Sequence, residues 1–180
     1  MFKKPTYVNK DESRIPPGQT VTDKFPVLTD GPAPNVEKSE WIFEVRYQNE
    51  LLRSYSWEEF NSLKQETITT DIHCVTRWSK LDTVWNGVYV EDLLNGLIDP
   101  KKHKFVMAFC FGGYTTNLPI EDLMDKKGSV VTKYDSKDLE KDHGGPARLL
   151  VPHLYLWKSA KWIKGLHLGE SDRPGYWEQY

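Results

Sequence analysis

Cys74 is the residue in this chain whose neighbours most suggest chemistry. It is the first of two cysteines and lies in "DIHCVTRWSK", directly after His73 and three positions before Arg77. A thiol can be a buried core residue, a nucleophile activated by a base, or a soft metal ligand. Each role requires something different from the rest of the sequence.

A zinc site is disfavoured, because the chain has no C-x-x-C pair and His73 and Cys74 point to opposite faces of a continuous strand. A nucleophile needs a base, and no spacing selects one of the other four histidines. A single thiolate suffices if the metal arrives already ligated by an organic cofactor. The residues alone leave a core thiol, a metal-free nucleophile and a completing metal ligand open.

The segment "WKSAKW" offers an attachment point for such a cofactor. Lys158, Ser159 and Lys161 place two ammonium groups, a hydroxyl and backbone N–H donors within four residues, a grouping suited to phosphate. Arg148 adds a planar guanidinium, and it follows the turn sequence "HGGP", whose glycines allow a flat ligand close to the backbone. The alternatives are a solvated strand face and a turn formed for purely conformational reasons.

The elements that position these residues are short. "WIFEVRY" alternates apolar residues at period two and predicts a half-buried strand, and Ser56 and Glu59 have capping-box spacing for a short helix. "TITTDIHCV" predicts a strand that ends near Cys74, and "SVVTKY" resembles an outer strand. Short strands with few helices favour an α+β domain with mixed β-sheets.

Six of the eleven prolines lie in residues 1–40, which predicts an extended arm packed on the core. Residues 41–180 would then form the catalytic domain, within a single domain overall. Lys and Arg total 24 against 26 Asp and Glu, a net charge of −2, so we expect no nucleic-acid partner. No stretch approaches the roughly 20 apolar residues of a membrane span, and the N-terminus lacks a secretory signal, so we expect a cytoplasmic protein.

Six segments resemble, in the same order, the sulfite oxidase-type molybdopterin-binding domain, especially its short, soluble bacterial members. They are "RIPPGQ", "FPVLTDGPAP", "DIHCVTRWSKLDTVWNGV", "GGYTTNLPIEDL", "HGGPARLLVPHLYLWKSAKWIKGL" and "DRPGYWEQY". The resemblance implies the sulfite oxidase-type molybdopterin-binding fold and Mo-molybdopterin, the molybdenum cofactor.

The resemblance also implies that the Cys74 thiolate ligates molybdenum beside the dithiolene sulfurs of the cofactor. His143 and Arg148 would contact the pterin, and the segment around Lys161 would hold the phosphate. The complete set of cofactor-binding candidates is Arg14, Pro16, Gly18, Gln19, Cys74, Cys110, His143, Arg148, Lys158, Ser159, Ala160 and Lys161.

The activity that the resemblance implies is oxygen-atom transfer on a small substrate, at sulfur. Arg77 would either attract an oxyanion such as sulfite or form a surface salt bridge, and Tyr134 is a second candidate for the substrate pocket. No haem, flavin or Rossmann motif is present, so we expect an external electron-transfer partner. From the length and the N-terminus of this sequence we expect neither the dimerisation domain nor the haem domain of sulfite oxidases, and no twin-arginine signal. Neither sulfite nor methionine sulfoxide is therefore assigned as substrate. The alternatives are a non-catalytic cofactor-binding or carrier module and a metal-free cysteine-dependent enzyme.

Overall fold

Strands dominate the part of the chain that the computed structural model describes, residues 14–179. Within this range the helices and strands are, in chain order, β1 Thr20–Val21, β2 Ile42–Tyr47, β3 Glu50–Ser56, α1 Trp57–Ser62, β4 Glu66–His73, β5 Trp78–Tyr89, α2 Val90–Leu93, β6 Phe105–Cys110, β7 Thr115–Pro119, β8 Ser129–Tyr134, β9 Lys137–Asp138, β10 Arg148–Leu150 and β11 Ile163–Gly169. Four 3-10 turns accompany them, at Ile120–Asp122, Lys141–His143, Leu156–Lys158 and Tyr176–Glu178.

The strands form two mixed sheets. In the first, β1, β5, β8 and β10 are neighbours in that order, β4 pairs with β5, and β9 pairs with β8. In the second, the order is β3, β2, β11, β6 and β7, with β2 parallel to β11. The predicted α+β class with mixed sheets and short helices is confirmed.

Two apolar cores hold the sheets together. The main core joins Phe43 and Val45 of β2 with Val130 of β8 and Leu149 of β10, so it takes side chains from both sheets. The smaller core lies around Ile72 of β4 and includes side chains of β5, β8 and β10. Because Ile72 immediately precedes the "HC" pair, this second core anchors the segment that carries Cys74.

Local sequence explains the elements near the site. In β2 the even-numbered residues face outward while Phe43 and Val45 are fully buried, which confirms the predicted alternation. At the start of α1 the Ser56 side chain accepts a hydrogen bond from the Glu59 backbone N–H, and the Glu59 carboxylate accepts one from the Ser56 N–H. The predicted capping box is therefore confirmed.

The prediction that "SVVTKY" is an outer strand was wrong. This segment forms β8, which pairs with β5, β9 and β10. Its buried valines point to both sides, since Val130 lies in the main core and Val131 in the smaller one. A strand that faces two cores has apolar residues on both of its faces, so it does not show the alternation of a half-buried strand. The short pattern in this segment was therefore not enough to tell a central strand from an edge strand.

The described part of the N-terminal arm follows the first sheet and contacts it. Its strand β1 pairs in parallel with the start of β5, in the register Thr20 to Trp78. Phe25 continues the contact by packing against the smaller core. Within residues 14–179, no helix has both the length and the apolar character needed to cross a bilayer.

Candidate active site

A cleft of about 320 Å³ opens where several separate parts of the chain meet. Its walls come from the arm, the turn between β4 and β5, the "HGGP" turn, the "WKSAKW" segment and the C-terminal 3-10 turn. The residues in contact with it fall within 25–30, 74–78, 143–148 and 156–162, together with Tyr114 and Trp177. The two motifs that suggested a thiolate and a phosphate site thus line the same cavity.

Cys74 lies in the tight turn that leads from β4 to β5. Its backbone N–H donates to the Trp78 carbonyl at 2.9 Å, and the Arg77 N–H donates to the Cys74 carbonyl at 3.0 Å. The thiol is buried, and the Thr76 hydroxyl donates a hydrogen bond to Cys74 Sγ at 3.1 Å. The sulfur therefore lines the cleft as a hydrogen-bond acceptor, an arrangement compatible with a thiolate.

A chain of side chains supports this turn from behind. Gln19 Nε2 donates to the Cys74 carbonyl at 3.0 Å, and Ser79 Oγ donates to Gln19 Oε1 at 3.1 Å. Because the Ser79 proton is used in this way, His73 must donate from Nδ1 to Ser79 Oγ, 2.7 Å away. Burial holds the pKa of His73 below its usual value, so the ring is neutral at pH 7. His73 is turned away from the cleft, as strand alternation predicted.

Arg148 is a buried cation on the cleft wall, exposed by only 2%. Its guanidinium donates to two backbone carbonyls, from Nη1 to His143 at 2.9 Å and from Nη2 to Ser159 at 2.7 Å. Burial lowers its pKa to about 10. No carboxylate of residues 14–179 forms an ion pair with it. A buried guanidinium without a counter-ion is costly, so this arrangement suits an anionic ligand.

Lys161 lies beside Arg148 on the same wall. Its ammonium donates to the backbone carbonyl of Asp142 at 2.7 Å, and within the described residues it too forms no ion pair. Burial and the neighbouring positive charge of Arg148 lower its pKa to about 8. Two adjacent cations that raise each other's energy form a site that a phosphate would stabilise.

Lys158 has a different environment. Its ammonium is buried and donates to the Asn117 carbonyl at 2.6 Å, to Asn117 Oδ1 at 2.9 Å and to Glu178 Oε1 at 2.7 Å. It does not contact the cleft. The structure therefore uses this lysine to join β7 to the C-terminal 3-10 turn.

Backbone hydrogen bonds join the "HGGP" turn to the "WKSAKW" segment. The Leu149 N–H donates to the Ala160 carbonyl at 2.8 Å, and the Trp162 N–H donates to the Gly144 carbonyl at 3.3 Å. Gly144 has a φ of 104°, and a Cβ atom there would lie 2.9 Å from the Cβ atom of Lys161. Only glycine brings these two segments so close together. Ser159 and Ala160 then line the cleft, with Ser159 Oγ accepting from the Val151 N–H.

Aromatic side chains also line the cleft. The Phe25 ring stacks on the His143 ring with centroids 3.9 Å apart. Burial, with Arg148 and Lys161 as additional causes, holds the pKa of His143 below its usual value, so the imidazole is neutral at pH 7. The Trp78 indole N–H is buried at the cleft wall with no hydrogen-bond partner in residues 14–179. An unpaired buried donor in a folded protein requires an explanation, and a ligand bound in this cleft would provide one.

All four cofactor-binding candidates in the arm, Arg14, Pro16, Gly18 and Gln19, lie outside the cleft lining. Arg14 forms ion pairs with Asp71 at 2.7 Å and Asp82 at 2.6 Å, and its hydrogen bonds to Asp71 hold the pKa of that carboxyl below the usual range. Pro16 and Gly18 form the turn that brings Gln19 to Cys74, with the Gln19 N–H donating to the Pro16 carbonyl. This part of the arm acts through Gln19 on the Cys74 turn.

Three further candidates lie near the cleft without lining it. Arg77 is exposed and has a positive φ of 74°. Tyr134 packs against Phe25 and Trp85 with centroids 5.2 and 4.8 Å away, and burial raises its pKa to about 12. Cys110 is buried in the main core, where desolvation raises the pKa of its thiol.

Sequence reasoning assigned no role to Phe25, Thr76, Trp78, Trp162 or Trp177, which the structure places at the cleft. All five lie within the segments that resemble the family, so these segments contained a signal for the wall residues. The donor set as a whole offers one thiol, two cations without carboxylate partners and an unpaired indole N–H. Within residues 14–179, no group of three or more His, Cys, Asp or Glu side chains is arranged to hold a metal ion. The set fits a ligand that carries its own metal and an anionic group.

Comparison with known proteins identifies such a ligand. The sequence profile of the family described as oxidoreductase molybdopterin binding domain matches residues 30–177. The chain is 34% identical to the uncharacterized oxidoreductase YuiH of Bacillus subtilis over 180 residues, which cover 99% of this chain and 91% of that protein. It is 25% identical to the putative protein-methionine-sulfoxide reductase subunit YedZ1 of Azospira oryzae, over 91% of this chain and 63% of that one.

More distant relatives are larger. The mitochondrial sulfite oxidase of Drosophila melanogaster is 26% identical over 53% of this chain but only 18% of its own length. Among solved structures, the sulfane dehydrogenase SoxCD from Paracoccus pantotrophus superimposes with a TM-score of 0.67 at 19% identity, over 77% of this chain and 40% of that one. The fold is thus of the sulfite oxidase type, and the chain belongs to the oxidoreductase molybdopterin-binding domain family as a sulfite oxidase-like oxidoreductase whose cofactor is molybdopterin.

Proposed function

We propose that this cleft carries out oxygen-atom transfer at a sulfur centre, with Cys74 Sγ as the protein ligand to molybdenum. Arg148 and Lys161 hold the anionic groups of the cofactor. The remaining wall residues orient the flat pterin and keep water from it.

One observation carries the proposal. A single buried thiol shares a cavity with two buried or half-buried cations that have no carboxylate partner within the described residues. A core thiol would require neither cation, and a metal-free nucleophile would require a base. His143 is the imidazole at this cleft, and it is stacked on Phe25. The combination is explained by a ligand that brings both a metal and a phosphate.

The residues of the chain would then have separate tasks. The Thr76 hydroxyl and the Gln19 side chain hold the Cys74 turn in place, so the sulfur meets the metal without reorganising the backbone. The neutral His143 ring would lie against the flat pterin, and the Trp78 indole N–H, unpaired within residues 14–179, would face one of its polar atoms. When bound, the cofactor supplies the two-electron redox chemistry and the oxygen-atom transfer, which no side chain here provides.

Relatives support sulfur as the reacting centre. The names of three of the similar proteins refer to sulfite, methionine sulfoxide and sulfane. The chain itself carries no second redox motif, so we infer that an external partner exchanges electrons with the bound cofactor.

The proposal is tested on protein produced in a host that synthesises the cofactor. Molybdenum is measured by elemental analysis and the pterin by fluorescence after release, for the native chain and for Cys74→Ser. We expect molybdenum and pterin near one equivalent each, turnover of a sulfur substrate with artificial electron carriers, and loss of that turnover in Cys74→Ser with the pterin retained. Molybdenum at background level in the native protein would contradict the proposal. Bound molybdenum without turnover of any S-oxide, N-oxide or sulfite would instead indicate a carrier.

A further inference from the structure

We infer that the Thr76 hydroxyl tunes the strength with which the Cys74 sulfur donates electrons to a bound metal. The inference rests on the proposed function, in which this sulfur ligates molybdenum, and it adds a positioning residue that acts on the metal through its ligand. Three observations support it: a hydrogen bond to the sulfur, the backbone that fixes this bond, and the directions in which the neighbouring cations donate.

The hydrogen bond joins two side chains of the same turn. Thr76 Oγ1 donates to Cys74 Sγ over 3.1 Å, and both residues line the cleft. In iron–sulfur and copper centres, hydrogen bonds to the ligating cysteine sulfur shift the reduction potential of the metal, because they withdraw electron density from the sulfur. The hydroxyl is therefore placed to influence a metal that it does not itself ligate.

The backbone of the turn fixes the hydroxyl relative to the sulfur. The Arg77 N–H donates to the Cys74 carbonyl, and the Cys74 N–H donates to the Trp78 carbonyl, so backbone hydrogen bonds close the turn. The arm adds two more, from the Gln19 side chain to the Cys74 carbonyl and from the Thr20 N–H to the Arg77 carbonyl at 2.9 Å. These four hydrogen bonds remain when the Thr76 hydroxyl is removed, so its loss should leave the backbone of the turn in place.

The two cations of the cleft direct their hydrogen bonds to backbone carbonyls. Arg148 donates to the carbonyls of His143 and Ser159, and Lys161 donates to the carbonyl of Asp142. The donor at the sulfur is instead a neutral hydroxyl, which lowers the electron density of a thiolate without adding a charge beside it. The anion site and the sulfur contact are thus served by different side chains.

Thr29 provides a matched control within the same cleft. Like Thr76 it is exposed and lines the cleft, and its hydroxyl also donates over 3.1 Å, but to the Gly31 carbonyl. Neither threonine has a positive φ, and valine keeps the branched shape while removing the hydroxyl. Thr76→Val and Thr29→Val therefore differ in whether the lost hydrogen bond was made to the sulfur.

The experiment uses cofactor-loaded protein with equal molybdenum and pterin content in every variant. Absorption spectroscopy gives the energies of the sulfur-to-molybdenum charge-transfer bands, and Cys74→Ser identifies the band of this sulfur. Redox titration with mediators gives the ratio of oxidised to reduced molybdenum at a fixed potential. Thr76→Ser restores a hydroxyl at the same position, and thermal unfolding of the empty protein reports on the fold.

We expect Thr76→Val to move the Cys74 band to longer wavelength, because a sulfur without its hydrogen bond holds its electrons less tightly. The same loss disfavours the electron-rich reduced metal, so the ratio of oxidised to reduced molybdenum should rise by about fivefold, the effect of one ordinary hydrogen bond. Thr76→Ser and Thr29→Val should match the native protein in both measurements. The Tm of the empty protein should be similar in the two valine variants.

Three results would overturn the inference and leave the proposed function intact: an unchanged band and ratio in Thr76→Val, equal shifts in both valine variants, or no restoration by Thr76→Ser. Native protein without molybdenum, or a spectrum that does not change in Cys74→Ser, would instead contradict Cys74 as the molybdenum ligand. That result would overturn the proposed function and this inference together.

Discussion

Lys158 and Lys161 stand three residues apart in one motif, yet the structure places them in opposite environments. The Lys158 ammonium is surrounded by three oxygen acceptors and forms an ion pair with Glu178. The Lys161 ammonium has one backbone carbonyl and a neighbouring guanidinium that repels it. The first lysine is satisfied within the fold, whereas burial and Arg148 leave the second with a lowered pKa, a cost that a bound anion would offset.

The difference separates a structural cation from a ligand-binding one. A buried charge that has its own partners contributes to stability, and removing its side chain destabilises the fold. A half-buried charge that faces another cation in a cavity costs stability in the empty protein and contributes to affinity in the loaded one. Replacing each cation should therefore produce opposite results in two assays, thermal unfolding of the empty protein and cofactor content of the loaded one.

The largest effect is expected for Arg148→Gln. Gln keeps a donor for the carbonyls of His143 and Ser159 but removes the buried charge. Losing a charge-assisted interaction of roughly 1.5–3 kcal/mol should reduce pterin retention on dilution by about tenfold or more. Arg53→Gln is the matched control, because Arg53 also donates to backbone carbonyls, those of Leu93 and Asn95, away from the cleft. Equal loss of pterin in both variants would contradict the assignment of Arg148.

The two lysines are compared directly by Lys161→Met and Lys158→Met. Lys161→Met should lower pterin retention by about tenfold, with the Tm of the empty protein unchanged or raised. Lys158→Met should lower the free energy of unfolding by about 2 kcal/mol, since the Glu178 side chain is partly exposed, and Tm by roughly 4–8 °C. If instead Lys161→Met unfolds the protein and Lys158→Met releases the cofactor, the roles assigned to the two lysines are contradicted.

The pKa of Lys161 predicts a smaller, pH-dependent difference. Burial and Arg148 lower it from 10.5 to about 8 in the folded, empty protein. Between these values the unfolded chain binds a proton that the folded chain has released, so the contribution of Lys161 to stability rises with pH in this window. Below pH 8 the folded chain carries the charged Lys161, and its full destabilising effect is present. Relative to Lys161→Met, the empty native protein should therefore gain stability from pH 8 to pH 10 in urea unfolding. A difference that does not change with pH would indicate an ordinary, solvated lysine.

The smallest effect is expected for Gln19→Ala. The side chain joins the Cys74 carbonyl to Ser79, so its removal should cost about 1 kcal/mol and increase the rate at which a thiol reagent modifies Cys74 in the empty protein. Gln65→Ala is the control, since Gln65 bonds the carbonyls of Phe60 and Leu63 at the end of α1. A similar loss of stability without a change in Cys74 reactivity is expected there. Unchanged reactivity of Cys74 in Gln19→Ala would show that the arm does not support the Cys74 turn.

Sequence patterns predicted the local features of this molecule well. The alternation in β2, the capping box of α1 and the divergence of His73 from Cys74 each depend on a few adjacent residues. Such features follow from strand and helix geometry, which does not change with the rest of the fold. The α+β class followed for the same reason.

Features that depend on distant contacts were not predictable in this way. The 3-10 turn Leu156–Lys158 decides which lysine of "WKSAKW" faces the cleft. It directs Lys158 to Asn117, which lies 41 residues earlier in the chain. The stacking of Phe25 on His143 brings together residues that no local period connects. The ion pairs of Arg14 with Asp71 and Asp82 are likewise distant in sequence, and its contact with the cofactor stays a prediction.

The central claim is that Cys74 is the protein ligand to molybdenum in a cleft whose cations hold the rest of the cofactor. X-ray absorption at the molybdenum edge tests it most directly, on the native protein and on Cys74→Ser at equal pterin content. The account predicts that the sulfur count around molybdenum falls by one in the variant, with the pterin still bound through Arg148 and Lys161. An unchanged sulfur count would contradict the claim.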